Sequence, residues 1–144
     1  MTIQKWDGLF EDVPLDAESS FTRLVDSKSI DDFANAIQSF HPIHMDAEWA
    51  RENSPFSDRI AHGLMTSALM SRPIVLFSEK YKINSVLVSS SAKYIRPVIC
   101  GDEITTKLKL VEKIDERKRL RFEIKSTNQK GDVVMVGELV EQLT

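Results

Sequence analysis

The last third of the chain alternates between apolar and polar residues, a period of two that is typical of half-buried strands. Leu108, for example, stands between Lys107 and Lys109. Two alternating runs occupy residues 104–110 and 120–125, an apolar-rich run occupies residues 133–143, and polar turns at residues 115–118 and 127–132 stand between them. Three strands joined by short polar turns predict an antiparallel meander.

Two earlier segments also have the pattern of strands. Residues 18–25 (ESSFTRLV) predict a first strand. A second alternation, over residues 85–91, leads through KYIRPV to the turn pair Gly101-Asp102. One predicted strand therefore precedes the helical part of the chain, and another introduces the meander.

Helical periodicity lies between these two strands. Asp26 stands at an N-cap position before residues 27–37 (SKSIDDFANAI), in which apolar residues recur at i, i+3, i+4 and i+7. Asp46 can cap a second, shorter helix over residues 47–53 (AEWAREN). Between them, the ring of Pro42 is expected to keep the segment SFHPIHMD out of helix.

The most apolar segment, residues 60–80 (IAHGLMTSALMSRPIVLFSEK), predicts the main helix. Its first half is apolar nearly all round, so we expect it to be buried on most sides. Pro73 is expected to kink or break the helix about three turns in. A curved antiparallel sheet wrapped around this long helix would enclose it, which predicts an α+β fold in one domain, residues 1–144.

Composition narrows the classes of function. The net charge of −3 gives no basic surface for nucleic acid. The lysines and arginines between Lys107 and Arg121 alternate with apolar residues, which indicates the solvated face of a sheet rather than a polyanion site. Cys100 is the single cysteine, and three histidines without a cysteine framework argue against a structural zinc site. We expect neither a nucleic-acid partner nor a metal.

No segment predicts secretion or insertion into a membrane. The first residues, MTIQKWDGLFED, lack a basic region followed by an apolar one. No apolar run approaches the roughly 20 residues that a membrane helix needs. We therefore expect a soluble, cytoplasmic protein without a membrane partner.

Gly63 is the first candidate for chemistry, because it stands where the main helix is expected to begin. The first amides of a helix lack carbonyl partners, and the helix dipole makes that end electropositive. A glycine there lets a ligand atom come close, so the amide could stabilise a thioester carbonyl as it becomes an enolate. Close packing against a strand would explain the glycine equally well.

Two histidines near these segments have different expected roles. His44 follows Pro42 in a loop and could exchange a proton near neutral pH, as the addition or loss of water requires. A loop histidine without any role is the alternative. His62 lies at the expected helix N-terminus, where a positive charge is disfavoured, so we expect it to be neutral and mainly structural.

The motifs PIHMDAEWA and RIAHGLMTSALMS, in this order, resemble the paired signature of MaoC-like dehydratases and (R)-specific enoyl-CoA hydratases. YIRPVICGDEI is similar to that family's aromatic-x-Arg-Pro-Val-x-x-Gly-Asp strand and turn, and SIDDFANAIQSF to its first helix. The resemblance covers nearly the whole chain from about Glu18. It implies a hotdog fold, commonly a homodimer, with a tunnel for an acyl thioester of CoA or acyl carrier protein. No separate cofactor is expected, because CoA or the carrier protein is part of the substrate.

The resemblance also implies roles for single residues. The family's loop reads Gly-Asp-x-Asn-Pro-Leu/Ile-His, and its Asp and His hold a catalytic water. Its histidine falls on His44, its proline on Pro42, and the glycine whose amide binds the thioester oxygen on Gly63. Its Asp falls on Ser39, which can hydrogen-bond a water but cannot accept its proton at neutral pH. Its Asn falls on His41, the one newcomer nearby that could titrate, or else a surface histidine without function.

Three functions remain open at this point. The first is a hydro-lyase acting on a 2-enoyl or 3-hydroxyacyl thioester, with His44 as acid and base, Ser39 positioning water and His41 supplying basicity. The second is an enzyme that isomerises or epimerises an acyl or polyketide-like thioester, which needs a base and an oxyanion site but no bound water. The third is a thioester-binding partner subunit that has lost catalysis together with the carboxylate.

Overall fold

The computed structural model describes residues 3–144, which form five helices and five strands. Met1 and Thr2, with which the predicted domain 1–144 begins, lie outside the described residues. In chain order the elements are β1 (Glu18–Leu24), α1 (Ser27–Ile37), α2 (Pro42–Met45), α3 (Ala47–Asn53), α4 (Gly63–Ala68), α5 (Ser71–Tyr81), β2 (Ser85–Tyr94), β3 (Glu103–Ile114), β4 (Arg119–Thr127) and β5 (Val133–Leu143). The predicted α+β class is therefore confirmed.

The five strands form one antiparallel sheet in the order β1-β3-β4-β5-β2. The predicted meander β3-β4-β5 is confirmed and occupies the centre of the sheet. Phe122 of β4, for example, pairs with Leu110 on one side and Leu139 on the other. The two strands that precede the meander in sequence, β1 and β2, add to its opposite edges.

The inner face of the meander forms the core against α5. Phe122 is 1% exposed and meets Phe77 of α5 edge to face, with ring centroids 5.0 Å apart. On the outer face of β3, Lys107 pairs with Glu18 at 3.0 Å. The alternation of lysines with apolar residues thus marks the solvated face of the sheet, as predicted.

Both predicted helix caps are confirmed. The carboxylate of Asp26 accepts a hydrogen bond from the Ser29 amide at 2.9 Å, and the helix that follows ends at Ile37. The carboxylate of Asp46 accepts one from the Trp49 amide at 3.0 Å at the start of α3. Each bond satisfies an amide that has no partner within its own helix.

The prediction that Pro42 keeps its segment out of helix is wrong. Residues Pro42–Met45 form the single-turn helix α2, and the proline occupies its first position. An amide at that position has no intrahelical partner, so the missing proline N–H is not needed there, and the fixed φ favours helix entry. The sequence rule applies to helix interiors, not to helix starts.

The main helix over residues 60–80 is divided into α4 and α5 at Leu69 and Met70. The break was predicted, but it precedes Pro73, which is buried in the first turn of α5 where its missing amide is tolerated. The prediction that the first half of the main helix is buried on most sides is wrong for the single chain, because Leu64 is 67% exposed. No helix within residues 3–144 is long and apolar enough to cross a membrane.

Candidate active site

His44 lies on the one-turn helix α2 and is fixed by the backbone. Its Nδ1 lies 2.7 Å from the carbonyl oxygen of Ile60. A carbonyl oxygen can only accept, so Nδ1 carries the proton and donates it to this bond. In the neutral ring the other nitrogen, Nε2, therefore keeps its lone pair. His44 is oriented as a base whose basic nitrogen is not used by the Ile60 contact.

The environment of His44 favours the neutral ring. Partial burial lowers its pKa below the ordinary value of 6.5, because the charged form loses solvation. The hydrogen bond to Ile60 acts in the opposite direction, and the neighbouring His62 and His41 rings lower the pKa further. A neutral imidazole near pH 7 is the form that can accept a proton.

His62 lies beneath His44, with ring centroids 3.9 Å apart and planes inclined by 24°. It is 5% exposed, and its Nε2 donates to the carbonyl oxygen of Ser39 at 2.9 Å. Phe33 packs on the same ring at 5.3 Å. Its Nδ1 is buried without a hydrogen-bond partner among residues 3–144. The His62 ring thus connects the Ser39 backbone to the start of α4, because His62 directly precedes Gly63.

Ser39 and His41 enter the same cluster by different contacts. Ser39 is half-buried, with its amide bonded to the Ala34 carbonyl and its own carbonyl held by His62. The His41 ring lies 6.3 Å from the His44 ring, and its Nδ1 accepts a hydrogen bond from the Ile43 amide at 3.1 Å. His41 therefore caps α2, a structural function that the sequence did not indicate. A catalytic part for it stays a prediction.

Gly63 is the first residue of α4 and is exposed. A Cβ atom placed on it would lie 3.6 Å from Cε1 of Tyr94, an ordinary van der Waals distance. Packing against a strand therefore does not require glycine here, which weakens that explanation. Gly63 and Tyr94, together with Thr66 and Arg96, line a small pocket of about 210 Å³.

A buried arginine connects the helices around the site, a role that the sequence did not indicate. Arg59 is 7% exposed and pairs with Asp31 of α1 at 2.6 Å. The same guanidinium donates to the carbonyl oxygens of Met45, at the end of α2, and Ser27. Arg59 thereby ties α1 to the helix that carries His44. Its only signal in the sequence is a charged residue directly before an apolar motif.

Comparison with known proteins shows the family of the chain. Residues 12–131 match the family described as MaoC like domain, so the chain belongs to that family. It is 33% identical over 130 residues to a 3-hydroxybutyryl-CoA dehydratase of Methylorubrum extorquens, covering 90% of this chain and 80% of the relative. It is 28% identical over 129 residues to an (R)-specific enoyl-CoA hydratase of Rhodospirillum rubrum, with 90% and 87% covered.

The solved structures include a similar fold. The R-hydratase PhaJ1 from Pseudomonas aeruginosa, in its unliganded form, superposes with a TM-score of 0.83 at 25% identity, covering 93% of this chain and 84% of that one. The predicted hotdog fold is confirmed by this match. The central helix that the sheet encloses is here the interrupted pair α4 and α5.

Proposed function

We propose that the protein is a hydratase or dehydratase that interconverts 2-enoyl and 3-hydroxyacyl thioesters of CoA or acyl carrier protein. The observation that carries this proposal is the state of His44: a neutral ring whose Nδ1 is held by Ile60 and whose Nε2 keeps its lone pair. Membership in the MaoC-like family and the names of its relatives support the thioester substrate. The proposed reaction needs no cofactor beyond the CoA or carrier-protein arm of the substrate.

In the proposed hydration, water adds across the double bond next to the thioester carbonyl. Nε2 of His44 accepts a proton from the water as its oxygen bonds to C3, and the electrons of the double bond move to the thioester oxygen. The Gly63 amide donates a hydrogen bond to this enolate oxygen. The enolate then takes the proton from His44 at C2, which restores the neutral ring. Dehydration is the same sequence reversed.

Ser39 and His41 complete the proposal. Ser39 is tied by its carbonyl to His62, whose ring stacks on His44, so the serine belongs to the same cluster. We assign to its hydroxyl the positioning of the water, and to His41 a contribution to the basicity of the site. Without a carboxylate to share the proton, turnover should be slower by about 10²–10⁴ than with a second base.

We further propose that the chain acts as a homodimer that pairs through strand β2. This edge strand exposes three consecutive apolar residues, Val86 (51%), Leu87 (58%) and Val88 (40%). An exposed apolar edge strand offers unpaired backbone groups to another strand. Leu64 of α4, which is 67% exposed, would be covered by such a partner.

Hydration of crotonyl-CoA, followed by the loss of enoyl-thioester absorbance, tests the function. We expect turnover by the wild type, a loss of about 10²–10⁴ in His44→Ala, and a gain in Ser39→Asp. Glu48→Ala, on the exposed surface of α3, is a control variant that should keep the turnover of the wild type. Unchanged turnover in His44→Ala would exclude the proposed role of this residue.

The mass of the product separates hydration from the alternatives. A product heavier by one water supports the hydratase. A product of unchanged mass with a moved double bond would favour isomerisation. Absence of reaction in all variants, with tight binding of the thioester retained, would favour a partner subunit without catalysis.

A further inference from the structure

Glu141 is a buried carboxyl group that the proposed chemistry does not use. It lies on β5, where it is 6% exposed, and the residue two positions before it, Leu139, is a buried core residue. Burial raises the pKa of Glu141, and the Ser85 hydroxyl opposes this shift by hydrogen bonding to the carboxylate. Within residues 3–144 the carboxylate has no lysine or arginine at salt-bridge distance. Burying a carboxyl group without a cation is unfavourable, so its retention calls for a function.

The carboxyl group lines a groove that runs beside the central helices. This groove, about 320 Å³ in volume, is bounded by α4 and α5 on one side and by β2 and β5 on the other. Leu64 and Ser67 line its start, one and four residues after Gly63. Ile74 and Glu141 line it as well, and both also border a second pocket of about 240 Å³. The groove thus leads from the start of α4 to the buried carboxyl group.

The lining of the groove suits an acyl chain. It runs from Leu64 and Ser67 of α4 to Ile74 of α5, across the break between the two helices. An acyl group whose thioester oxygen meets the Gly63 amide would extend along this path toward Glu141. Simple alkyl groups would match Leu139 on the walls, but they would offer the carboxyl group no hydrogen bond beyond the one from Ser85.

We propose that Glu141 is a specificity-determining residue that selects acyl groups carrying a hydroxyl at the end remote from the thioester. This inference rests on the proposed function, because it places the thioester at Gly63. A hydroxyl both donates and accepts, so it can bond the carboxyl group in its charged and its neutral form. A remote carboxylate would be repelled by the charged form. Ser67, Ser71 and Ser90 on the groove walls add further polar groups along the path.

Binding of saturated acyl-CoA esters tests the selectivity without requiring turnover. Octanoyl-CoA and dodecanoyl-CoA would each be compared with their ω-hydroxy analogues by isothermal titration calorimetry. For the wild type we expect the hydroxy analogue to bind roughly ten- to hundredfold more tightly at one of the two lengths, as a hydrogen bond to a charged group provides. Equal affinity within each pair would overturn the proposal.

Three variants assign the preference to the carboxyl group. Glu141→Leu should reverse the preference in favour of the alkyl ester, and Glu141→Gln, of nearly the same shape, should keep a reduced preference for the hydroxy ester. Glu138→Gln, whose carboxylate is half-exposed on the other face of β5 and pairs with Arg121, should behave as the wild type. An unchanged ratio in Glu141→Leu would overturn the proposal, as would a change of the ratio in Glu138→Gln of the same size.

Two further readouts separate this inference from the proposed function and from dimer formation. If the preference holds but the matching 2-enoyl esters are not hydrated, the selectivity stands and the hydratase assignment fails. If the enoyl esters are hydrated without any preference, the reverse is true. If Glu141→Leu changes the oligomeric state in sedimentation while the binding ratio stays constant, the carboxyl group serves assembly and the proposal is wrong.

Discussion

Strand β4 and strand β2 are both rich in apolar residues, but their environments differ completely. Leu120 and Phe122 of β4 are 0% and 1% exposed, whereas Val86 and Leu87 of β2 are 51% and 58% exposed. Among residues 3–144, strand β4 has a hydrogen-bonded neighbour on each side, and β2 has only β5. The apolar residues of β4 alternate with polar ones, while Val86, Leu87 and Val88 of β2 are consecutive, so the predicted alternation over residues 85–91 does not separate apolar from polar positions.

The difference shows what each pattern means. Alternation describes a strand with one face in the core and one in water, which a single chain can provide. Consecutive apolar residues describe a strand covered on both faces, which a single chain here does not provide. The meander is covered within one chain, and the proposed dimer would cover β2.

The largest effect should come from the meander. Phe122→Ala removes a fully buried ring that contacts Phe77 and should lower the free energy of unfolding by about 3–5 kcal/mol. Leu87→Ala should change the unfolding of the isolated chain by about 0.5 kcal/mol or less. Chemical denaturation at low protein concentration measures both. Equal losses would contradict the contrast between the two strands.

A charge on β2 should act on assembly rather than on the fold. Leu87→Lys should cost about 2 kcal/mol of association free energy per protomer, because an apolar contact is lost and a charge takes its place. Sedimentation velocity should then show monomers where the wild type forms dimers, with unchanged circular dichroism. A matched control is Leu15→Lys, the same substitution at a leucine of similar exposure (54%) outside β2, which should leave the dimer intact. A dimer that tolerates Leu87→Lys would exclude β2 as its interface.

The contrast between buried and exposed surroundings extends to ion pairs. Asp31→Asn breaks the pair with buried Arg59 and should lower the free energy of unfolding by about 1–2 kcal/mol, a value reduced because the Asp31 side chain is 46% exposed. Asp32→Asn breaks the exposed pair with Lys28 and should leave the free energy of unfolding nearly unchanged, because water screens this pair. Thermal unfolding of both variants measures the difference. A loss in Asp32→Asn as large as in Asp31→Asn would contradict it.

The smallest expected effect concerns the half-buried His44, which lies between these extremes. Its pKa is lowered in the folded state from 6.5, so the unfolded chain binds the proton first as the pH falls. Stability from this residue is therefore complete above pH 6.5 and declines below it. An NMR titration of the His44 ring should give a midpoint below 6.5, with the urea-unfolded protein as reference. A folded midpoint at or above the unfolded one would refute the argument.

Local patterns predicted most of the fold. The caps at Asp26 and Asp46 and the alternation of β3 and β4 depend on interactions within a few residues, and sequence displays these directly. The prediction for Pro42 is wrong because the proline rule for helix interiors does not hold at a helix start. Leu64 was expected to be buried because an apolar sequence does not reveal whether its cover belongs to the same chain.

The site was only partly predictable, for a different reason. His44, Gly63 and Ser39 could be named from motifs, but the stacking of His62 on His44 joins residues that are far apart in sequence. The contacts by which Arg59 connects α1 and α2 likewise depend on elements that are distant in sequence. The same is true of the groove that Glu141 lines. No periodicity records which side chains meet across a fold, so these required coordinates.

The strand order β1-β3-β4-β5-β2 also has a consequence for the time course of folding. The two outer strands and all five helices precede the meander in the chain, so during synthesis they leave the ribosome before the strands that they join exist. Hairpins β3-β4 and β4-β5 need only short loops to close, whereas β1 and β2 must find partners distant in sequence. We expect the last third of the chain to nucleate the sheet. The apolar residues of β2 should remain exposed until β5 has been synthesised and can pair with them. A chaperone that covers β2 would act during that interval.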